Sequence, residues 1–271
     1  MIASLRKAWA FLLRDFRIES GYKTSFLMRV VESMTLLVLF YFLGELIAPG
    51  GSPALGRYGD RYLPFAIVGV AFARYFDLTL KMFSESIRLA QVTGCLDAML
   101  SSQTGCVPIV LMSSLYSLVS GGLQLLLILL AGTLAFGVDF GRINLPATVL
   151  IFLLSILTFV SFGVLSAAMV VWLKKGDPIT WILSGFGAIM GGAYFPTSIM
   201  PGWMQKISLV LPITYSLDAL RLTMLKGYSI GMVANPVEIL LAMTAVLLPA
   251  SLIIFAAAVR KGRREGTLLE Y

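Results

Sequence analysis

Six apolar runs of about 20 residues or more constrain this chain more than any other feature, because a helix needs about 20 apolar residues to cross a hydrocarbon core roughly 30 Å thick. They lie near 26–48, 62–80, 107–137, 145–173, 179–200 and 237–259. Hydrophobic residues make up 58% of the chain, charged residues 13%, and the mean hydropathy is +0.90. Soluble domains carry about a quarter charged residues, so the expectation is an all-α polytopic membrane protein with six transmembrane helices. The third run would be about 46 Å long at 1.5 Å per residue, so it must tilt, kink at Gly121-Gly122 or protrude.

Lysine and arginine set the orientation. With the N-terminus in the cytoplasm, thirteen basic residues fall in inside segments, among them Arg14, Lys81, Lys174 and Arg260, against six outside: Arg57, Arg61, Arg142, Lys206, Arg221 and Lys226. That excess puts both termini in the cytoplasm. The net charge of +7 then needs only anionic lipid as its partner and no nucleic acid. Charges run to Lys23 before a long apolar run, so the first spanning helix is expected to be its own insertion signal rather than a cleaved one. Cys95 and Cys106 fall in an inside loop and read as unpaired small residues.

The chain reads as one domain over 1–271. At its start, Leu5, Trp9, Leu12 and Phe16 form an apolar stripe opposite Arg6, Lys7, Arg14 and Arg17, the pattern of an interfacial helix within 1–25. Turn chemistry at Pro49-Gly50-Gly51-Ser52-Pro53, at 139–144 and at Lys174-Lys175-Gly176-Asp177-Pro178 gives short connections. The inside segment 81–105 is longer and amphipathic. Leu96, Met99 and Leu100 are spaced to share a helix face that could pack on a soluble partner.

The stretch 192–221, GAYFPTSIMPGWMQKISLVLPITYSLDALR, is apolar yet broken by Pro196, Pro201 and Pro212. Proline removes a backbone donor and clashes with the preceding turn, so short half-helices are expected. Broken backbone at membrane depth is tolerated only where protein or water covers it. The combination Phe195-Pro196, Pro201 before Trp203, Leu211-Pro212 with Ile213 and Tyr215, then Asp218-Ala219-Leu220-Arg221 resembles the late signature of ABC type-2 permeases, the membrane subunits of ATP-driven exporters. The resemblance implies short re-entrant helices on the outer side after the fifth span, within 201–236. Residues 91–102, QVTGCLDAMLSS, resemble the same family's coupling helix, which seats on the ATPase. It implies coupling roles for Gln91, Gly94, Leu96, Asp97, Met99 and Leu100, although Gln91, Cys95, Asp97 and Gln103 depart from the usual acid, threonine, glutamate and proline.

Two pairs of opposite charges sit three residues apart on spans, Arg29 with Glu32 and Arg74 with Asp77, and each is expected to neutralise itself on one helix face. Pairing offsets a cost of about 2.5–3.5 kcal/mol per charge at the membrane centre, and the ends of the helices let arginine snorkel. The pairs could fasten the first and second helices to each other.

The chain has no histidine and two cysteines. Imidazole catalysis, serine triads and the usual zinc sites are therefore excluded. It also lacks G-x-x-x-x-G-K-[ST] and so cannot cradle nucleotide phosphates itself. An enzyme is not expected, and the chain should bind no cofactor of its own. Two energy sources remain. The resemblance implies a separate ABC ATPase subunit that carries ATP and Mg, and a second permease copy, identical or related, to complete the pathway in a bacterial or archaeal plasma membrane. The alternative is an ion-coupled secondary transporter with Arg74 and Asp77 in the translocation step. Trp181, Phe186, Tyr194 and Phe195 could line a route for a drug, lipid or glycan, or act as interfacial anchors.

Overall fold

The computed structural model describes residues 2–20, 23–47, 53–92, 106–173 and 177–265. Among the described residues the chain is helical, without strands. The helices are α1 (Ile2–Ser20), α2 (Lys23–Ile47), α3 (Tyr62–Val92), α4 (Cys106–Ser113), α5 (Leu115–Phe136), α6 (Leu145–Leu173), α7 (Pro178–Met190), α8 (Gly202–Ser208), α9 (Pro212–Leu225) and α10 (Ala234–Glu265), with short 3-10 turns at Pro53–Leu55, Thr197–Ile199 and Ile230–Val233.

α3 is the central element, packed against α2, α5, α6, α7 and α9, while α6 joins it to α10. Phe65 through Ala73 on α3 are buried without interruption. The Phe76 and Phe159 rings meet edge to face at 4.6 Å between centroids. Hydroxyls join apolar helices where no water could serve them. Thr158 of α6 and Thr244 of α10 lie 2.6 Å apart, and Thr148 of α6 donates to Thr223 of α9 at 3.1 Å. Each is worth about 0.6 kcal/mol in a bilayer.

Four helical stretches are long and apolar enough to cross a membrane: Tyr62–Ala90, Leu111–Phe136, Leu145–Leu173 and Ile230–Gly262, with α8 and α9 as a fifth if that bent pair counts as one span. The first expected span coincides with α2, a helix of 25 residues. The fifth, expected over 179–200, differs: α7 has only 13 residues, about 20 Å of helix against a core of roughly 30 Å. Hydropathy carried the expected span through 191–200, but the backbone turns at Gly191-Gly192.

Two further expectations are corrected. The second span does not end at Leu80. α3 continues to Val92, because Met82, Phe83, Ile87 and Ala90 pack with Val164, Ala167 and Val171 of α6 and Phe255 and Val259 of α10. The first half of the expected inside loop is thus a packed helix. In the third span the helix is interrupted at Ser114, and Gly121-Gly122 remain helical. α1 packs against α4 and α5 while leaving Trp9 and Phe16 exposed, 65% and 56% respectively. That is the arrangement of a helix lying along an interface.

Candidate functional site

The end of α7 builds the first part of the site. Gly192, at φ +78°, follows the helix, with its amide donating to Ile189 O and the Ala193 amide donating to Ala188 O. This is a Schellman ending, and glycine fits because a left-handed residue with a Cβ is strained. The reversal turns the carbonyls of Gly192 and Ala193 away from the helix. Arg221 of α9 meets them: Nη1 donates to Gly192 O at 2.8 Å, Nη2 to Ala193 O at 2.7 Å, and Nε to Phe65 O of α3 at 3.2 Å. Its guanidinium carbon lies 3.4 Å from the Phe65 ring centroid, and the residue is 2% exposed. A residue expected in an outside segment is therefore a buried clamp joining α3, the α7 ending and α9. Gly69 makes the approach possible, since a Cβ there would lie 1.8 Å from Ala193 O.

Around this clamp the proline signature is local architecture. Pro201 precedes α8 and Pro212 is the first residue of α9, where a missing amide costs nothing. α8 and α9 are bent by 86°. The bend is tied down by Thr214 Oγ1 donating to Ser208 O and Tyr215 Oη donating to Leu209 O, each at 2.7 Å. Pro196 is buried and Phe195 half-buried beside the α7 ending. Asp218 of α9 accepts from Arg57 Nη2 and from Tyr58 Oη, each at 2.7 Å. Burial, then the Asp218 charge, push the Tyr58 hydroxyl above its ordinary range, which keeps it a donor. Tyr62 Oη donates to Tyr194 O at 2.9 Å, and the Tyr194 ring stacks on Phe40 of α2 at 5.5 Å.

The expected charge pairs are arranged differently. Arg74 Nη2 donates to Glu32 Oε1 at 2.8 Å, from α3 to α2, and Asp77 Oδ2 accepts from Lys81 Nζ at 2.7 Å. Ser184 of α7 donates to the other Asp77 oxygen. Three-residue spacing on one helix allowed Arg74 to meet Asp77, but the neighbouring helix offers Arg74 a carboxylate and leaves Asp77 to Lys81 and Ser184. Arg29 lies on α2, and its side chain falls outside what is described. Arg74 stands twelve residues, about 18 Å, from the start of α3. The Glu32 side chain is 62% and the Arg74 side chain 33% exposed. With α2 and α7 both packed on α3, these groups form a polar strip along the α3 surface. Flanking it, Val31, Val38 and Phe42 of α2 and Trp181, Ile182 and Phe186 of α7 are exposed.

At the opposite end of α7, Asp177 caps the helix by accepting from Thr180 N at 3.0 Å and from Ser166 Oγ. Burial opposes its ionisation, but the hydrogen bonds from Ser166, Thr180 and Ser84 outweigh it and hold the carboxyl below its usual range. Of the expected coupling residues, Gln91 lies in the last turn of α3, with its side chain outside what is described, and Gly94, Leu96, Asp97, Met99 and Leu100 fall outside the described residues altogether. Sequence reasoning missed Gly69, Tyr58, Tyr62, Lys81 and Ser184, none of which carries a pattern of its own. Asp218 stood within the quoted signature without a role.

Long apolar helices, polar links buried between them and a bent helix pair seated on backbone carbonyls define a multi-pass helical membrane protein. The ABC-2 type transporter family model matches residues 6–225, and the chain belongs to that family. It is a membrane permease of the ABC exporter kind. No curated protein matches the chain.

Proposed function

We propose that this permease forms an export pathway as a dimer, with a second copy or a related chain, and is driven by separate cytoplasmic ATPase subunits that carry ATP and Mg. The family match over 6–225 carries this reading. In it, α2 and α7 with its ending supply the first and fifth of six passes, both termini are cytoplasmic, and α8–α9 is a re-entrant pair on the outer side that does not cross. The strip of Glu32, Arg74, Asp77 and Lys81 supports a second copy, because charged groups left partly exposed on a helix surface are costly against lipid even when paired. A partner that encloses the strip in water or protein removes that cost. The pathway then takes a drug, a lipid or a glycan past these charged side chains. Alternating access follows as a two-state rearrangement biased by ATPase closure.

The 91–102 segment is the proposed contact with the ATPase. Replacing Asp97 and Leu100 together with arginine puts two cations on its helix face. In proteoliposomes of the purified complex, the double variant should still assemble but hydrolyse ATP without transporting. Coupled transport at the wild-type rate would rule out this segment as the contact. Transport by the chain on a proton gradient, with no nucleotide-hydrolysing companion present, would overturn the whole reading in favour of ion coupling.

A further inference from the structure

At the end of the bundle that carries Tyr62, a cavity of about 1000 Å³ opens among α2, the start of α3, the end of α5 and the end of α9. It lies away from the Glu32–Arg74 strip, and nothing in the exporter reading uses it. Four close approaches between elements border it. The Tyr41 and Phe136 rings lie 5.3 Å apart, and a Cβ on Gly44 would touch the Tyr62 ring at 3.3 Å. Gly59 abuts Lys226, and Gly227 lies so close to the Arg142 carbonyl that a Cβ there would stand 2.4 Å from it. Gly227 has φ +72°, so this approach depends on glycine, and it fixes Arg142 beside the Lys226 wall.

Six charged side chains line this space: Glu45, Asp60 and Asp139, and Arg61, Arg142 and Lys226. Among the described residues none of them is in an ion pair. Asp139 takes one hydrogen bond, from the Gly141 amide at 2.7 Å. Asp60 is held at φ +63°, a left-handed conformation uncommon for a residue with a side chain. Six charges of both signs held around one aromatic-walled space, without neutralising each other, make a receptor for a ligand that carries both signs. An anion alone would meet three carboxylates, and a cation alone three basic groups. The size fits a small ligand or a headgroup, which pockets of roughly 300–1000 Å³ accommodate.

We propose that this cavity binds a phosphate–ammonium zwitterion. The phosphate lies toward Arg142 and Lys226, where arginine's fork and the lysine point charge suit its oxygens, and the ammonium lies toward Glu45 beside the Tyr41 and Phe136 rings. That the cavity faces the outer leaflet rests on the orientation proposed above; the binding itself does not.

The test is native mass spectrometry of the detergent-purified permease, with any ATPase that accompanies it, titrated with three probes: dihexanoyl phosphatidylethanolamine, dihexanoyl phosphatidylglycerol and chain-free glycerophosphoethanolamine. The zwitterionic lipid should half-saturate at a concentration at least tenfold lower than the anionic one. Arg142→Gln with Lys226→Gln, and separately Glu45→Gln, should erase that preference while leaving the melting temperature unchanged. These positions lie on different elements, so a folding defect in one variant leaves the other as a test. Glycerophosphoethanolamine binding as well as the lipid identifies a free solute, and binding only with chains identifies a lipid headgroup; either outcome supports the zwitterion. Equal affinity for both lipids, or a preference unchanged in both variants, overturns the proposal. Since ligand binding in detergent needs no transport, its failure leaves the exporter reading intact.

Discussion

A single methyl group at Gly69 tests whether the Arg221 clamp holds the broken segment. The new Cβ would stand 1.8 Å from Ala193 O and 2.4 Å from Arg221 Nη2, directly across the hydrogen bond that joins those two atoms at 2.7 Å. Reaching van der Waals separation requires α3 and the α7 ending to part by about 1.5 Å, too far for the bond to survive. Overpacking costs about 1–3 kcal/mol, and a lost hydrogen bond to a charged group about 1.5–3. Alanine's helix preference returns about 1 kcal/mol. The net loss is about 1.5–5 kcal/mol. At about 2–4 °C per kcal/mol for a chain of this size, Gly69→Ala should melt roughly 3–20 °C below wild type when unfolding is followed by tryptophan fluorescence in detergent. Gly122→Ala is the control, since a Cβ there meets nothing within 4 Å, and it should melt at or slightly above wild type. A Gly69→Ala variant within about 2 °C of wild type would refute the reasoning.

Arg221→Gln replaces the fork with one short amide that cannot reach the Phe65, Gly192 and Ala193 carbonyls together, at about 1–3 kcal/mol for each carbonyl left bare; it should unfold earlier than Gly69→Ala in the same melt. Arg221→Lys should recover less than half of that loss, because one ammonium cannot reproduce the planar fork. For the strip on α3, Glu32→Arg places two cations together and should lower ATP-driven transport in proteoliposomes several-fold, while the swap Glu32→Arg with Arg74→Glu should restore most of it. Recovery by the swap tests the cross-helix pair itself, and a swap as defective as the single variant would count against it.

How much of this was legible in the sequence depends on the range of the interaction. Apolar length locates α3, α5, α6 and α10 and fixes both ends of α6, because membrane solvation acts on each segment separately, but it misses the packed extension of α3 from Leu80 to Val92 and the break at Ser114 before α5. Prolines at 196, 201 and 212 likewise announce a break, since their effect is confined to the neighbouring turn. The fifth span was misjudged because a Schellman ending turns on one glycine's positive φ, and hydropathy does not register that. The Arg74 pairing was misjudged for a different reason: i, i+3 spacing states which groups can meet on a helix, but the neighbour's carboxylate decides which do. Gly69 carries no local sign at all. Its role exists only because Arg221, more than 150 positions later, crosses at that level.

The distribution of these contacts also separates a frame from a movable part. α3, α6, α9 and α10 interdigitate through large buried side chains, and Arg221 fastens the α7 ending to that frame. Such a core resists small displacements because it is close-packed. Of the described side chains of α2, only Ser33, Leu37 and Phe40 are buried. Its other ties include the Arg74 ion pair, the stack of Phe40 on Tyr194 and the tilted ring contacts of Phe40 with Tyr62 and Tyr41 with Phe136, and ion pairs and ring contacts can be exchanged for equivalent ones without opening a cavity. In the proposed export cycle a two-state rearrangement between α2 and the frame would disturb few buried contacts, and it would open or close the strip of Glu32, Arg74, Asp77 and Lys81. In that proposed cycle the clamp would act by what it keeps still: with the carbonyls of Gly192 and Ala193 held, α2 would move against a fixed edge.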